Sequence, residues 1–445
     1  MRGNRLIEMT RAGGRRGCRF LMNHYSKIKP LFAWLSPQTR NRLKAFFFGW
    51  AFRNFYTGST PGTPSPAAAE ISLKGSPLPK GVNLIGYPCA EIGEGEFLRQ
   101  AAQSFSSREI PFGIYDHGAR ASLGRGNQQF ARHIRPDNRY STNLFHVKPD
   151  QLESTILSLG PSFIEHRYNI GYWVWELSEF PDAWKNPLNF LDEVWCPSRF
   201  IQAAVEKKSD KPAVYQPLAV ELEIPTGFDR AYFGLPPAPF IFLFAFDFKS
   251  CFPRKNPIAC IDAFQRAFPR GGEPAALVIK SMDGALFPRE LQTLTEACQR
   301  DRRVIHIDAL FQSDEILGLM QVCDSFISLH RSEGIGLCLA QSMLLGKPVL
   351  ATGYSGNTDF MHPNHSCLVN YRLVPVKAGE YPHGEGQVWA DPDVDHAAGF
   401  MRRLVNENAY RHSIAEAGRS YIRSRHNAQT IGRGYQRRLE ELGLL

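Results

Sequence analysis

The sequence predicts an α/β protein in which two doubly wound parallel sheets face each other across a cleft, behind a basic N-terminal extension. Three observations carry that expectation. At 445 residues the chain exceeds what one ordinary core serves. From Gly81 onward, short β-rich runs alternate with helical segments, the signature of strand-helix-strand units. That succession occurs twice, on either side of a Pro- and Gly-rich stretch, with no internal repeat of fixed period.

The extension comes first. Residues 1–60 hold twelve Lys or Arg against one acid, Glu8, whereas the formal charge of the whole chain is +9. The rest is therefore slightly negative, and nucleic-acid binding is not expected. In "SPQTRNRLKAFFFGWAFRNFY", Ser36 and Pro37 suit a helix start that groups Leu43, Phe47 and Trp50 on one face. Two readings stay open. Residues 1–56 lie on an anionic membrane, each basic side chain contributing about 1 kcal/mol, or the aromatics pack on the protein's own body. "TGSTPGTPSPAAAE" reads as a flexible linker within residues 1–80. No run approaches roughly 18 apolar residues and no apolar signal core is evident, so the expected location is cytoplasmic, with or without peripheral contact at the inner membrane face. Nine scattered cysteines without a C-x-x-C pair fit a reducing compartment and argue against structural zinc.

An N-terminal domain is expected over residues 81–225, with strands at "GVNLIGY", "FGIYDH", "NLFHV", "YNIGYWVWEL" and "AVYQP" and helices at "EFLRQAAQSFSS" and "PDQLESTILSL". "LEIPTGFDRAYFGLPPAP" is the expected hinge. A C-terminal domain follows over 226–425, with strands "FIFLFAFDF", "ALVIKSM", "RVIHIDAL", "DSFISL" and "PVLATGY" separated by four helices. Residues 426–445 form a last helix, free to pack back toward the N-terminal domain. In open sheets of this kind ligands sit beyond the carboxyl ends of strands, so the cleft is the expected site.

"HRSEGIGLCLAQSMLLGKPVLATGYSGNTDF" spans such a strand end. Glu333 falls between the strand and the next helix, beside Gly334 and Gly336, which bare backbone N–H groups toward a phosphate or a polar sugar. Gln341 lies about 7 to 8 Å further along the helix axis. The alternative is that Glu333 only caps the helix and Gln341 faces solvent.

The segment "SEGIGLCLAQSMLLGKPVLATGYSGNTDF" resembles the E-x7-E region of the retaining glycosyltransferases of family four, and the likeness extends to "EIGEGEFLR", "YNIGYWVWELSEFPDAW", "DEVWCPSRF", "RKNPIACIDAFQRAFP" and "GQVWADPDVDHAAGFMRRL". It covers about Gly81 to Arg425 and points to bacterial members that build polysaccharides or lipopolysaccharides. The resemblance implies the GT-B fold, a nucleotide sugar in the C-terminal domain, a glycan or lipid-linked acceptor in the N-terminal one, and no metal or other cofactor. No acidic D-x-D pair ends a strand here.

Residue by residue, the resemblance implies that Glu333 meets the donor sugar near its reacting carbon, with Gly334, Ile335, Gly336 and Leu337 along the donor. Gln341 stands where the family has a second Glu that grips the ribose. This departure keeps hydrogen bonding but loses charge-assisted strength. Arg254 and Lys255 resemble the family's phosphate-contacting pair and would stabilise the leaving group; Lys280 is a third candidate. Asn357 and Asp359 bond sugar hydroxyls or cap a turn. On the acceptor side stand Gly93 and Gly95, where Leu98 replaces the third glycine of a dinucleotide fingerprint. His146 either faces the sugar or is structural. Trp173 and Trp175 should share one strand face, stacking on sugar or buried, with Glu176 on the other near an acceptor hydroxyl. A carboxylate nucleophile is not evident, leaving open a same-face reaction in which the leaving phosphate takes the acceptor proton. A degenerate scaffold subunit and a nucleotide-sugar epimerase are the alternative functions.

Overall fold

Both strand series become six-stranded sheets in which every pairing is parallel. The computed structural model describes residues 78–118 and 126–445; the basic extension and its proposed membrane contact lie outside the described residues. The first sheet holds β1 (Val82–Gly86), β2 (Phe112–Asp116), β3 (Thr142–Phe145), β4 (Tyr168–Tyr172), β5 (Glu193–Cys196) and β6 (Ala213–Tyr215), in the order β2-β1-β3-β4-β5-β6. The second holds β7 (Phe240–Ala245), β8 (Ala275–Ser281), β9 (Val304–Asp308), β10 (Ser325–Ser328), β11 (Val349–Thr352) and β12 (Cys367–Val369), in the order β12-β11-β10-β7-β8-β9. An antiparallel hairpin, β13 (Tyr371–Pro375) and β14 (Val388–Pro392), follows.

Strands such as β1 and β8 are buried along their whole length, as helices on both faces require. In the first domain the helices are α1 (Gly93–Ser107), α2 (Pro149–Leu159), the single turn α3 (Lys185–Leu188) and α4 (Arg199–Glu206). In the second they are the single turn α5 (Phe252–Lys255), α6 (Pro257–Ala267), α7 (Pro288–Gln299), α8 (Ser313–Val322), α9 (Leu337–Leu344), α10 (Val394–Asn406) and α11 (Asn408–Arg425). Local chemistry sets the starts. Ser198 caps α4 by accepting from the Ile201 N–H, and Gln312 with Glu315 forms a capping box on α8.

Four strand elements went unforeseen: β5, β12 and the two hairpin strands. The predicted strand "YNIGYWVWEL" also stops early, at Tyr172. The final helix α12 (Ala428–Glu441) lies against α1 of the first domain. Tyr435 packs on Phe105 and Trp195 at 5.4 and 5.0 Å, and Arg438 meets the fully buried Glu193 at 2.6 Å. The expected hinge region is tied down rather than loose: Arg230 reaches the carbonyls of Pro237 and Pro239 at 3.0 and 2.9 Å and Asp324 at 2.7 Å.

The strand orders fix where a ligand goes. Consecutive crossovers reverse direction between β1 and β3 in one sheet and between β7 and β10 in the other. Crevices open at such switch points, and here the two face each other.

Candidate active site

A cleft of about 710 Å³ lies between the two switch points. Its C-terminal wall is built from the segments that follow β7 and β10. After β7 the chain turns through Cys251, at φ +74°, into α5, whose single turn presents Arg254 and Lys255. Asn256, at φ +54°, then donates to the Leu329 carbonyl at 2.9 Å, fixing α5 against the end of β10. After β10 the chain carries buried His330 to Glu333 and enters α9 through Gly336, whose φ of +85° suits glycine. Gly334 serves a different need: a Cβ there would stand 2.6 Å from Val174 Cγ1 of the opposite domain.

Glu333 is the centre of this wall. Its Oε1 pairs with Lys255 Nζ and its Oε2 lies 3.3 Å from Arg254 Nη1. Its own N–H donates to Ser355 Oγ at 2.8 Å. Burial pushes its carboxyl group up, but the charges of Lys255 and Arg254 outweigh that and bring the pKa down to about 2. Glu333 is therefore ionised across the physiological range. Arg254 is 3% exposed and also donates to the carbonyls of Ser250 and Ser332, so it anchors the loop that holds Glu333. Lys255 offers the cleft more of its surface.

The N-terminal wall is different in kind. His146 follows β3, is 3% exposed, and lines the cleft with Tyr172 4.9 Å away between ring centroids. Neither ring nitrogen has a hydrogen-bond partner among the described residues. Burial lowers its pKa to about 3, which leaves a neutral imidazole free to donate or accept. Gly93 opens α1 at the cleft, and Lys148 pairs with Glu94 at 3.1 Å beside it.

The structure brings Glu333, Arg254, Lys255, His146, Gly334, Ile335, Gly336, Leu337, Gly93 and Glu176 onto one cleft. The remaining sequence candidates stand off it. Gly95 is a packing glycine, since a Cβ would lie 2.3 Å from the Ala90 carbonyl oxygen. Trp173 is buried against Phe180, and Trp175 lines the cleft in its place. Strand alternation cannot pair the two tryptophans, because β4 ends before them. Lys280 is buried, donating to the Ala309 carbonyl at 2.7 Å. Only the start of α9 lines the cleft, and Gln341 lies beyond that lining. Asn357 is fully buried, bonding His330 Nε2 and the Thr352 carbonyl. Asp359 accepts the Arg199 N–H at 2.7 Å, capping α4 across the domain boundary.

Sequence reasoning missed Lys249 and Tyr381, both on the cleft. Lys249 carried a signal, lying four residues past β7, and it pairs with Asp283 at 2.6 Å. Tyr381 carried none. Among the described residues no cluster of three or more His, Cys, Asp or Glu side chains is placed to hold a metal ion, and no helix is long and apolar enough to cross a membrane.

Two facing doubly wound domains with the site in their cleft define the GT-B class of fold. Among solved structures the chain is similar to a glycosyltransferase from Rickettsia africae, with TM-score 0.59, 13% identity, and coverage of 82% of this chain and 98% of that one. It is similar also to sucrose-phosphate synthase from Thermosynechococcus elongatus, with TM-score 0.58, 13% identity, and coverage of 82% and 99%. A third is Anabaena HepE in complex with UDP-glucose, with TM-score 0.54, 17% identity, and coverage of 81% and 100%. By sequence, no protein-family model and no curated protein matches the chain. At these identities the likeness establishes the fold.

Proposed function

We propose that the protein is a retaining glycosyltransferase that moves a sugar, of hexosyl type, from a nucleotide-sugar donor to a glycan or lipid-linked acceptor in bacterial surface polysaccharide synthesis. One observation carries the reading: an ionised Glu333, locked by Lys255 and Arg254 at one switch point, shares a cleft with an unpartnered neutral His146 from the other. The likeness in fold to HepE, which was solved with UDP-glucose, supports a nucleotide sugar as ligand.

On this reading the diphosphate lies at the N-terminus of α9, where the helix dipole and the backbone entering the helix at Gly336 favour negative charge. The bond between the anomeric carbon and the phosphate oxygen breaks, and its electron pair leaves with the phosphate. The acceptor oxygen bonds to the same face of that carbon, and its proton passes to the departing phosphate. Lys255 stabilises the charge that develops there. Glu333 holds the sugar and opposes the positive charge growing on its ring, and His146 bonds a sugar hydroxyl across the cleft.

A transfer assay over a panel of nucleotide sugars tests this. Glu333→Ala is expected to abolish transfer; full activity in that variant would remove the site assignment. We further propose that residues 1–56, outside the described residues, contact anionic membranes. Deleting residues 1–60 should then spare transfer to a soluble acceptor and reduce liposome association, whereas unchanged association would point to packing on the protein itself.

A further inference from the structure

The hairpin of β13 and β14 belongs to the C-terminal domain by sequence, yet its loop, residues 376–387, is packed into the other domain. Val376 and the fully buried Trp389 share one hydrophobic cluster with Trp173, Trp175, Leu177 and Phe180. Gln387 Oε1 accepts the Glu179 N–H at 3.0 Å, and Cys251 Sγ donates to the Glu380 carbonyl at 2.8 Å. The loop is thus a strap across one end of the cleft, anchored on both sides.

What the strap delivers is an aromatic surface with a polar centre. Tyr381 and His383 enter the cleft beside Trp175 and Trp184 of the N-terminal domain, with Trp175 to Tyr381 at 5.6 Å and Trp184 to His383 at 5.7 Å between ring centroids. Glu176 sits among them. Its Oε2 accepts the Tyr381 hydroxyl at 2.6 Å, and its Oε1 lies 3.7 Å from Arg254 Nη2. Ring faces that cover the C–H groups of a pyranose, next to a carboxylate that accepts hydroxyls, are the chemistry a saccharide needs. A hydrocarbon chain would instead meet a carboxyl group and a guanidinium, at a desolvation cost with nothing gained.

We propose that this strap completes an acceptor subsite for a saccharide ring, stacked on Trp184 and His383 with a hydroxyl held by Glu176, and that Tyr381 is the positioning residue for that carboxylate. The inference rests on the glycosyl-transfer reading and narrows it: the acceptor already carries a sugar, and the C-terminal domain helps to choose it.

Saturation-transfer NMR of octyl glycosides of glucose, galactose, mannose and rhamnose on the intact protein tests it directly. In the wild type the sugar ring protons should be saturated for at least one glycoside. His383→Ala, an exposed position whose loss leaves the core untouched, and Tyr381→Phe should each weaken that binding about tenfold, the equivalent of one lost hydrogen bond or stacking contact. The thermal shift given by nucleotide sugars should be the same in both variants as in the wild type. Saturation confined to the octyl chain, or variants that bind as the wild type does, would overturn the saccharide subsite. A wild type that shows no thermal shift with any nucleotide sugar would instead overturn the transfer reading beneath it, so the two failures are distinguishable.

Discussion

The buried polar residues at the centres of the two walls, Glu333 and His146, are partnered in opposite ways. On the C-terminal wall Glu333, Arg254, Lys255, Asn256 and Ser355 are linked to one another or to nearby backbone before any ligand arrives. On the N-terminal wall His146 is buried with both nitrogens unsatisfied. A native protein rarely leaves a buried polar side chain without a partner, and His146 lines the cleft where a substrate could supply one. The contrast teaches that one wall is organised in advance, while the other is completed by what binds.

The largest effect that tests this contrast is expected at Glu333. Beyond the loss of transfer, Glu333→Gln leaves Lys255 and nearly buried Arg254 without their shared counter-charge, which should lower stability by about 3 kcal/mol. Acid should do the same to the wild type. The folded pKa of about 2 is depressed below the ordinary 4.5, so the stabilisation is present above the ordinary value and is lost as pH falls toward 2. Urea midpoints measured from pH 6 down to pH 2 should converge for wild type and Glu333→Gln. Parallel curves would mean that the acid is not held by the two cations.

His146 should behave in the reverse manner. His146→Ala removes no protein hydrogen bond, so its melting temperature should stay within a few degrees of the wild type, while kcat/KM falls about tenfold to a hundredfold. Because burial holds the ring neutral, with a pKa of about 3, the rate should show no histidine ionisation near pH 6.5. An inflection there that disappears in His146→Ala would mean that the ring is not held neutral, and a large stability loss would make His146 a structural residue; either result erases the contrast between the walls.

Gly334 joins the walls. Adding a methyl group at Gly334→Ala would press on Val174 Cγ1 and the Trp175 carbonyl, at 2.6 and 3.1 Å. The domains must then separate slightly, at a cost of about 1–3 kcal/mol in unfolding experiments and a partial fall in transfer.

These features differ in how well the sequence announced them. The apolar runs of both sheets and the strand-loop-helix junction at Glu333 are local, so periodicity and glycine placement reveal them. β5 hid because it opens on Glu193 and leaves a run of only three apolar residues, and the partner of that Glu, Arg438, arrives from the last helix, 245 positions away. The pairing of Lys255 with Glu333 spans 78 positions, and that of Tyr381 with Glu176 spans 205. Contacts of that separation are set by the order of strands within a sheet and by how the domains dock, which neither propensity nor spacing encodes. Candidates such as Asn357, Asp359 and Lys280 looked available because their distant partners were equally invisible.

The smallest effect is expected at Gln341, and it measures how deep the organised wall extends. A carboxylate there would strengthen hydrogen bonds to a ribose if the nucleotide reached it, raising nucleotide-sugar affinity about tenfold. The observed start of α9 makes that contact indirect, because Gln341 stands beyond the residues that line the cleft. Gln341→Glu should therefore keep transfer and change nucleotide-sugar affinity, read by thermal shift titration, by less than about threefold. A tenfold gain would show that the donor runs further along α9 than the cleft does, and that the charge-paired wall continues past Leu339.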